Sequence, residues 1–128
     1  MRGSFIVLEG LDRTGKTTQL EKLIKNLQEL SIPVEEFHFP FRSTAIGQKI
    51  DAYLQKKVSY DDWHIHELFA LNRAEMMDNM REILSQGKTI ICSRYAFSGV
   101  AYSAAKGMDF NRCLSADAGV LAPDLVLF

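Results

Sequence analysis

Cysteine, proline and tryptophan are scarce in this chain, at two, three and one among 128 residues. Two cysteines, Cys92 and Cys113, make neither a disulfide framework nor a zinc ligand set, so both read as reduced packing residues of an intracellular protein. An excess of charge of either sign is also missing. The formal net charge is −1, which removes the electrostatic case for nucleic acid or a membrane surface as the main partner. No apolar run approaches the roughly 20 residues of a spanning helix. The opening "MRGSFIVLEG" has no basic region, apolar stretch and cleavage site of a secretory signal. Repeats, low-complexity tracts and linkers are absent. What is there, 47% hydrophobic and 24% charged residues, describes one soluble globular domain over residues 1–128 with enough apolar material for a core. Its expected place is intracellular and cytoplasmic.

The most informative stretch runs from Phe5 to Thr18, "FIVLEGLDRTGKTT". Phe5 to Glu9 read as a short buried strand. Gly10 to Thr17 then fit G-x-x-x-x-G-K-[ST] at every fixed position. Gly10 and Gly15 allow a tight turn and bring bare N–H groups close to phosphate oxygens. Lys16 can reach the β- and γ-phosphates as a point charge, and the Thr17 hydroxyl can ligate Mg²⁺. Leu20, Leu23, Ile24, Leu27 and Leu30 recur at helical spacing, so a helix starts here and turns its positive end toward the same anion. A Gly-rich turn without a ligand would not need this strand–loop–helix setting. The unit reads as a nucleoside-triphosphate site.

Further along, Ser31-Ile32-Pro33 breaks the first helix. Val34 to Phe39 reads as a second strand stopped by Pro40. A helix is expected from about Thr44 to Gln55, with Ser43 or Thr44 as N-cap and Ile46, Ile50 and Leu54 inward. One long helix is expected over roughly Tyr60 to Ser85, with Asp61 and Asp62 in its first turn and Gln86-Gly87 at its end. "TIICS" (Thr89 to Ser93) is a strand buried on both faces. Tyr95 to Lys106 and Asn111 to Ala116 read as helices, and Leu125 to Phe128 as a fourth, buried-type strand. Strands alternating with helices give an α/β domain with a parallel sheet. A chain that stops on such a strand leaves one sheet face uncovered, where parallel sheets are sheathed on both sides; the expectation is a C-terminally truncated piece.

Several features beside the phosphate loop point to a second substrate. Phe39-Pro40-Phe41-Arg42 lies where the second strand ends, the edge at which open parallel sheets bind ligands. Arg42 could hold a phosphate bidentately. Phe69 and Arg73 are spaced i,i+4, so a ring that stacks on a base and a fork that reads its edge share a helix face; core packing and a solvated arginine are the plainer alternatives. Arg94 follows directly on the third strand. Gly99 permits close backbone approach, and Tyr102 comes three residues later. His64 and His66 are i,i+2 and do not face together. Met76, Met77 and Met80 read as core or dimer-face packing.

The set "GLDRTGKTTQ", "FPFRST", "YLQKK", "HELFALNRAE", "SRYAFSGVAYSAAKG" and "APDLVLF" resembles thymidylate kinase of the eukaryotic and poxviral type, nearly end to end. The resemblance implies a P-loop nucleoside monophosphate kinase fold, a parallel sheet flanked by helices, and transfer of the ATP γ-phosphoryl to dTMP to give dTDP. It implies Mg²⁺ with ATP as donor, and a homodimer. It implies ATP binding by Gly10, Asp12, Arg13, Thr14, Gly15, Lys16, Thr17 and Thr18. Asp12 would also bind the sugar 3′-hydroxyl, and Arg13 would help the transferring phosphoryl group, a cation held in the loop and not in the lid. Phe69 matches the ring stacked on thymine and Arg73 the arginine at the base carbonyl. Arg42 and Arg94 match the arginines on the dTMP phosphate, and Tyr102 the aromatic under the sugar. Phe39, Leu54 and Gly99 would line the same pocket. The catalytic set so implied is Asp12, Arg13, Lys16 and Arg94.

Three departures stand out. Where the family reads Asp-Arg-Tyr, this chain reads Ser93-Arg94-Tyr95, so the metal would rely on Thr17 with only the neutral Ser93 oxygen beside it. Ala74 replaces the family's Trp. The family's lid, last strand and last helix do not occur in residues 1–128. The readings carried forward are a dTMP kinase and, against it, a catalytically silent nucleotide-binding homologue or a related nucleoside or nucleotide kinase. In the last of these Glu9 would be the nearest candidate base, although a strand-end support for the phosphate loop suits it better.

Overall fold

Short runs of β-branched and aromatic residues form parallel strands, and the amphipathic stretches between them form helices. A computed structural model describes residues 2–9, 16–117 and 119–127, with the backbone alone at 16, 17, 97, 98 and 102. Strand β1 (Phe5–Leu8) is followed by α1 (Lys16–Glu29), β2 (Val34–His38), α2 (Ala45–Leu54), α3 (Asp62–Ala74), α4 (Met77–Ser85), β3 (Thr89–Ser93), α5 (Ala96–Ala105), α6 (Phe110–Ser115) and β4 (Leu125–Leu127). The sheet runs β2-β3-β1-β4, with every pairing parallel. The α/β architecture expected from the sequence is the one found.

Alternation along each strand sorts the core into two layers. Phe5, Val7, Phe37, Ile90 and Cys92 pack with Met76, Met77, Met80 and Leu84 on one side of the sheet. On the other, Leu8 and Ile91 pack with Leu20, with Ile6, Leu23, Ile24 and Leu27 against them. Strand β3 is accordingly buried along its whole length, and the three methionines are core. A third cluster of Ile50, Ile65 and Leu68 holds α2 on α3. The starts of α2, α3 and α6 follow the cap chemistry. The Thr44 side chain accepts the Gly47 N–H at 3.0 Å, the Asp61 carboxylate that of His64 at 2.8 Å, and the Asp109 carboxylate that of Arg112 at 3.0 Å. A Cβ at position 47 would stand 2.0 Å from the Phe41 carbonyl oxygen, so only glycine lets α2 lie this close to the segment that follows β2.

Three expectations need correction. The long helix over 60–85 is two helices: the Met76 N–H reaches back to Arg73 O at 3.1 Å, a tightened last turn, and α4 restarts from Met76. No glycine or proline marks the break, so periodicity alone runs straight through it. It turns Asn72 and Arg73 toward their own buried partners while Met76, Met77 and Met80 face the sheet. Leu54, expected inward, is 43% exposed, because it ends α2 beyond the Ile50 contact. Strand β4, expected to be of buried type, is the outermost of the described strands: Leu125 and Leu127 align with Ile6 and Leu8 and are 49% and 39% exposed. Helix α1 lies over β2 and β3, so it leaves that face of β4 in solvent.

Candidate functional site

Where β1 and β3 end side by side, hydrogen bonds hold the backbone. Arg94 N–H donates to Leu8 O at 2.9 Å and Glu9 N–H to Leu127 O at 2.8 Å. Tyr95 N–H donates to the Glu9 carboxylate at 2.9 Å. Between them Arg94 sits at φ +64°, a left-handed conformation that costs a non-glycine residue on the order of 1 kcal/mol and is sustained only by such surroundings. Glu9 is thus buried at the strand end and holds Tyr95; the phosphate loop it was expected to support lies outside the described residues. Gly10, Asp12, Arg13, Thr14 and Gly15 lie outside the described residues, as do the side chains of Lys16, Thr17 and Tyr102. Helix α1 begins at Lys16, and Thr18 is exposed in its first turn.

Beside this junction lies a pocket of about 180 Å³. Phe39 and Arg42 reach it from beyond β2, Leu54 from the end of α2, and Phe69 and Arg73 from successive turns of α3; Arg94 follows β3 and Gly99 belongs to α5. Every described side chain that the sequence nominated for the acceptor nucleotide therefore opens on one cavity at the carboxyl edge of the sheet. The segment carrying Phe39 and Arg42 is fastened to α3: Phe41 N–H donates to Asn72 Oδ1 at 2.6 Å, and Asn72 Nδ2 donates back to Phe41 O at 2.8 Å.

The arginines differ in their settings. Arg42 is half exposed and lies 3.2 Å from Asp51. Arg73 is 2% exposed, and its Nε and Nη2 donate to the two carboxylate oxygens of Asp117 at 2.7 Å each. Burial, with Glu9 adding to it and Arg73 opposing, pushes the Cys92 thiol well above its ordinary range, so it stays protonated and donates to Arg94 O at 3.1 Å. Burial likewise raises the Tyr95 phenol, which donates to Leu121 O at 2.8 Å. Neither group is a nucleophile here. His64 is exposed and stacks on Tyr60, whereas His66 is buried between Ser103 and the Cys113 carbonyl. Among the described residues no group of three His, Cys, Asp or Glu could hold a metal.

A family model described as thymidylate kinase matches residues 8–128. This chain belongs to the thymidylate kinase family. Thymidylate kinases of Arabidopsis thaliana, Schizosaccharomyces pombe and Homo sapiens are 51%, 50% and 48% identical to it over 99% of its length. The matches take in 48%, 60% and 60% of those proteins, so this chain spans about half to three fifths of its relatives. The solved thymidylate kinase of Candida albicans superposes with a TM-score of 0.90 at 38% identity, over 99% of this chain and 62% of that one.

Against that family, Ser93 is buried at the end of β3, flanked in register by Leu8 and His38. The residues missed from the sequence are Asp117, Asn72 and Tyr95. Asp117 lies 44 residues from its partner in an irregular loop, with no motif to single it out. One signal pointed there: an arginine on the inward face of a helix needs a buried anion.

Proposed function

We propose that the protein of which this chain is part is an ATP-dependent dTMP kinase. The observation that carries the proposal is the convergence of Phe39, Arg42, Leu54, Phe69, Arg73, Arg94 and Gly99 on one pocket, beside the end of the strand that leads into a phosphate-loop sequence, in a chain of the thymidylate kinase family. In this reading the dTMP base lies on the Phe69 ring with its carbonyl toward Arg73. Arg42 and Arg94 take its phosphate, Asp12 takes the 3′-hydroxyl, and Tyr102 lies under the sugar. The loop residues Gly10 to Thr18 hold the ATP phosphates.

The chemistry is positioning and charge stabilisation, and it needs no covalent intermediate. Lys16 and Arg13 neutralise charge that develops on the transferred group, and Arg94, fixed in its strained backbone, keeps the acceptor oxygen oriented. Mg²⁺ bound with ATP would supply further neutralisation; Thr17 would be its protein ligand, with Ser93 offering a neutral oxygen. A hard cation held mostly by phosphate oxygens and water would suit a site whose described residues form no carboxylate cluster. No described helix is long and apolar enough to cross a membrane. A homodimer is part of the proposal, as is a cytoplasmic setting. A coupled ADP-release assay on the full-length protein with ATP and Mg²⁺ tests the activity: dTMP should be used far better than AMP or dCMP, and equal use of the three would reject the assignment.

A further inference from the structure

Arg73 and Asp117 form a buried side-on pair, 3% and 4% exposed at their side chains. A guanidinium has five N–H donors and stays protonated. Asp117 engages Nε and one N–H of Nη2, which leaves the second N–H of Nη2 and both of Nη1. That end of the group lies against Gly99, where an added Cβ would fall 2.8 Å from Nη2 and 2.9 Å from Nη1. The orientation of the fork is therefore determined from two sides, by a carboxylate on its Nε edge and by bare backbone at its tip. The charge of Arg73 is also compensated, so it presents donors to the pocket without a net positive charge.

We infer that Asp117 is the positioning residue for acceptor-base selection: by holding and neutralising Arg73 it makes this end of the pocket take a pyrimidine with a carbonyl at position 4 and reject one with an amino group. The inference rests on the function proposed above. A compensated fork suits a neutral carbonyl acceptor better than a phosphate, whereas an exocyclic amino group would set donor against donor and leave both unpaired. Arg42, half exposed at the other side of the pocket, has no such buried anion at 2.7 Å and remains the better phosphate ligand.

The test is calorimetry of dTMP, dUMP, dCMP and ATP on the full-length protein and on two variants. Asp117→Asn keeps the shape but sets an amide N–H₂ against the guanidinium. Arg73→Met with Asp117→Leu removes both charges together, which cores tolerate where a lone buried charge is not tolerated. In both, the preference for dTMP and dUMP over dCMP should fall on the order of tenfold to a hundredfold, while ATP affinity stays within about twofold of the parent. A global loosening would weaken ATP and all three acceptors alike, and that result overturns the inference. So does a double variant that folds and keeps the parent's preference, in which case the kinase reading stands. A parent that fails to distinguish dTMP from dCMP removes both the inference and that reading.

Discussion

The Glu9 carboxylate accepts the backbone N–H of Tyr95 at 2.9 Å, across 86 residues of sequence. Through it, the end of β1 sets the backbone on which Arg94 is presented. Glu9→Ala leaves that buried N–H without this partner and should lower stability by about 1–3 kcal/mol, with weaker acceptor binding because Arg94 loses its anchor. Glu9→Gln keeps an acceptor oxygen and should lose less on both counts. Urea unfolding alongside dTMP calorimetry checks this; equal losses for the two variants would mean that the hydrogen bond is not what matters.

Gly99→Ala introduces a methyl at 2.8–2.9 Å from the Arg73 guanidinium. Because the obstacle is the end of a side chain and not backbone, α5 should remain intact and Arg73 should move. The expected outcome is an unchanged far-UV spectrum with a KM for dTMP raised on the order of tenfold, corresponding to one displaced hydrogen bond, and an unaltered KM for ATP. A KM for dTMP equal to the parent's would place Arg73 away from the base.

Ser93→Asp puts a hard anionic oxygen at the end of β3, next to Leu8 and His38 in register. Half-maximal turnover should then need less Mg²⁺, and kcat should rise, since a carboxylate is a stronger ligand for this cation than a hydroxyl. The buried carboxylate should also cost stability in the absence of nucleotide. A Mg²⁺ titration of the rate decides the matter: a curve that does not shift would show that position 93 is not part of the metal shell.

Asp124 accepts the Phe5 N–H at 2.7 Å and an Arg2 N–H at 2.8 Å. The backbone bond first, and Arg2 second, hold its carboxyl below the ordinary value of 3.8. A depressed carboxylate stabilises the fold above its unfolded-state pKa, and that contribution fades as pH falls below about 3.8 through the folded value. Asp124→Asn, which mimics the protonated acid, should therefore be less stable than the parent near pH 7 and converge with it as the pH falls through the folded-state value. Urea midpoints at both ends test this, and a gap that persists in acid would point away from ionisation. The pair is half exposed, so added salt should narrow the gap at neutral pH.

The order of strands and helices, the cap at Thr44, the double burial of β3 and the methionine core were legible in the residues, because period, cap chemistry and apolar runs are local signals. So was the phosphate-loop sequence, and so, through the family resemblance, were the residues nominated for an acceptor that line one pocket. The break at Met76 and the pairing of Arg73 with Asp117 were not. Each depends on what the rest of the chain brings alongside: which layer the methionines pack into, which carboxylate a distant loop delivers to a buried guanidinium, and which glycine leaves room at its tip. Hydrophobic periodicity says which face of an element is buried, but the partner on that face, and with it the donors a buried arginine has left for a ligand, is decided only when the layers close.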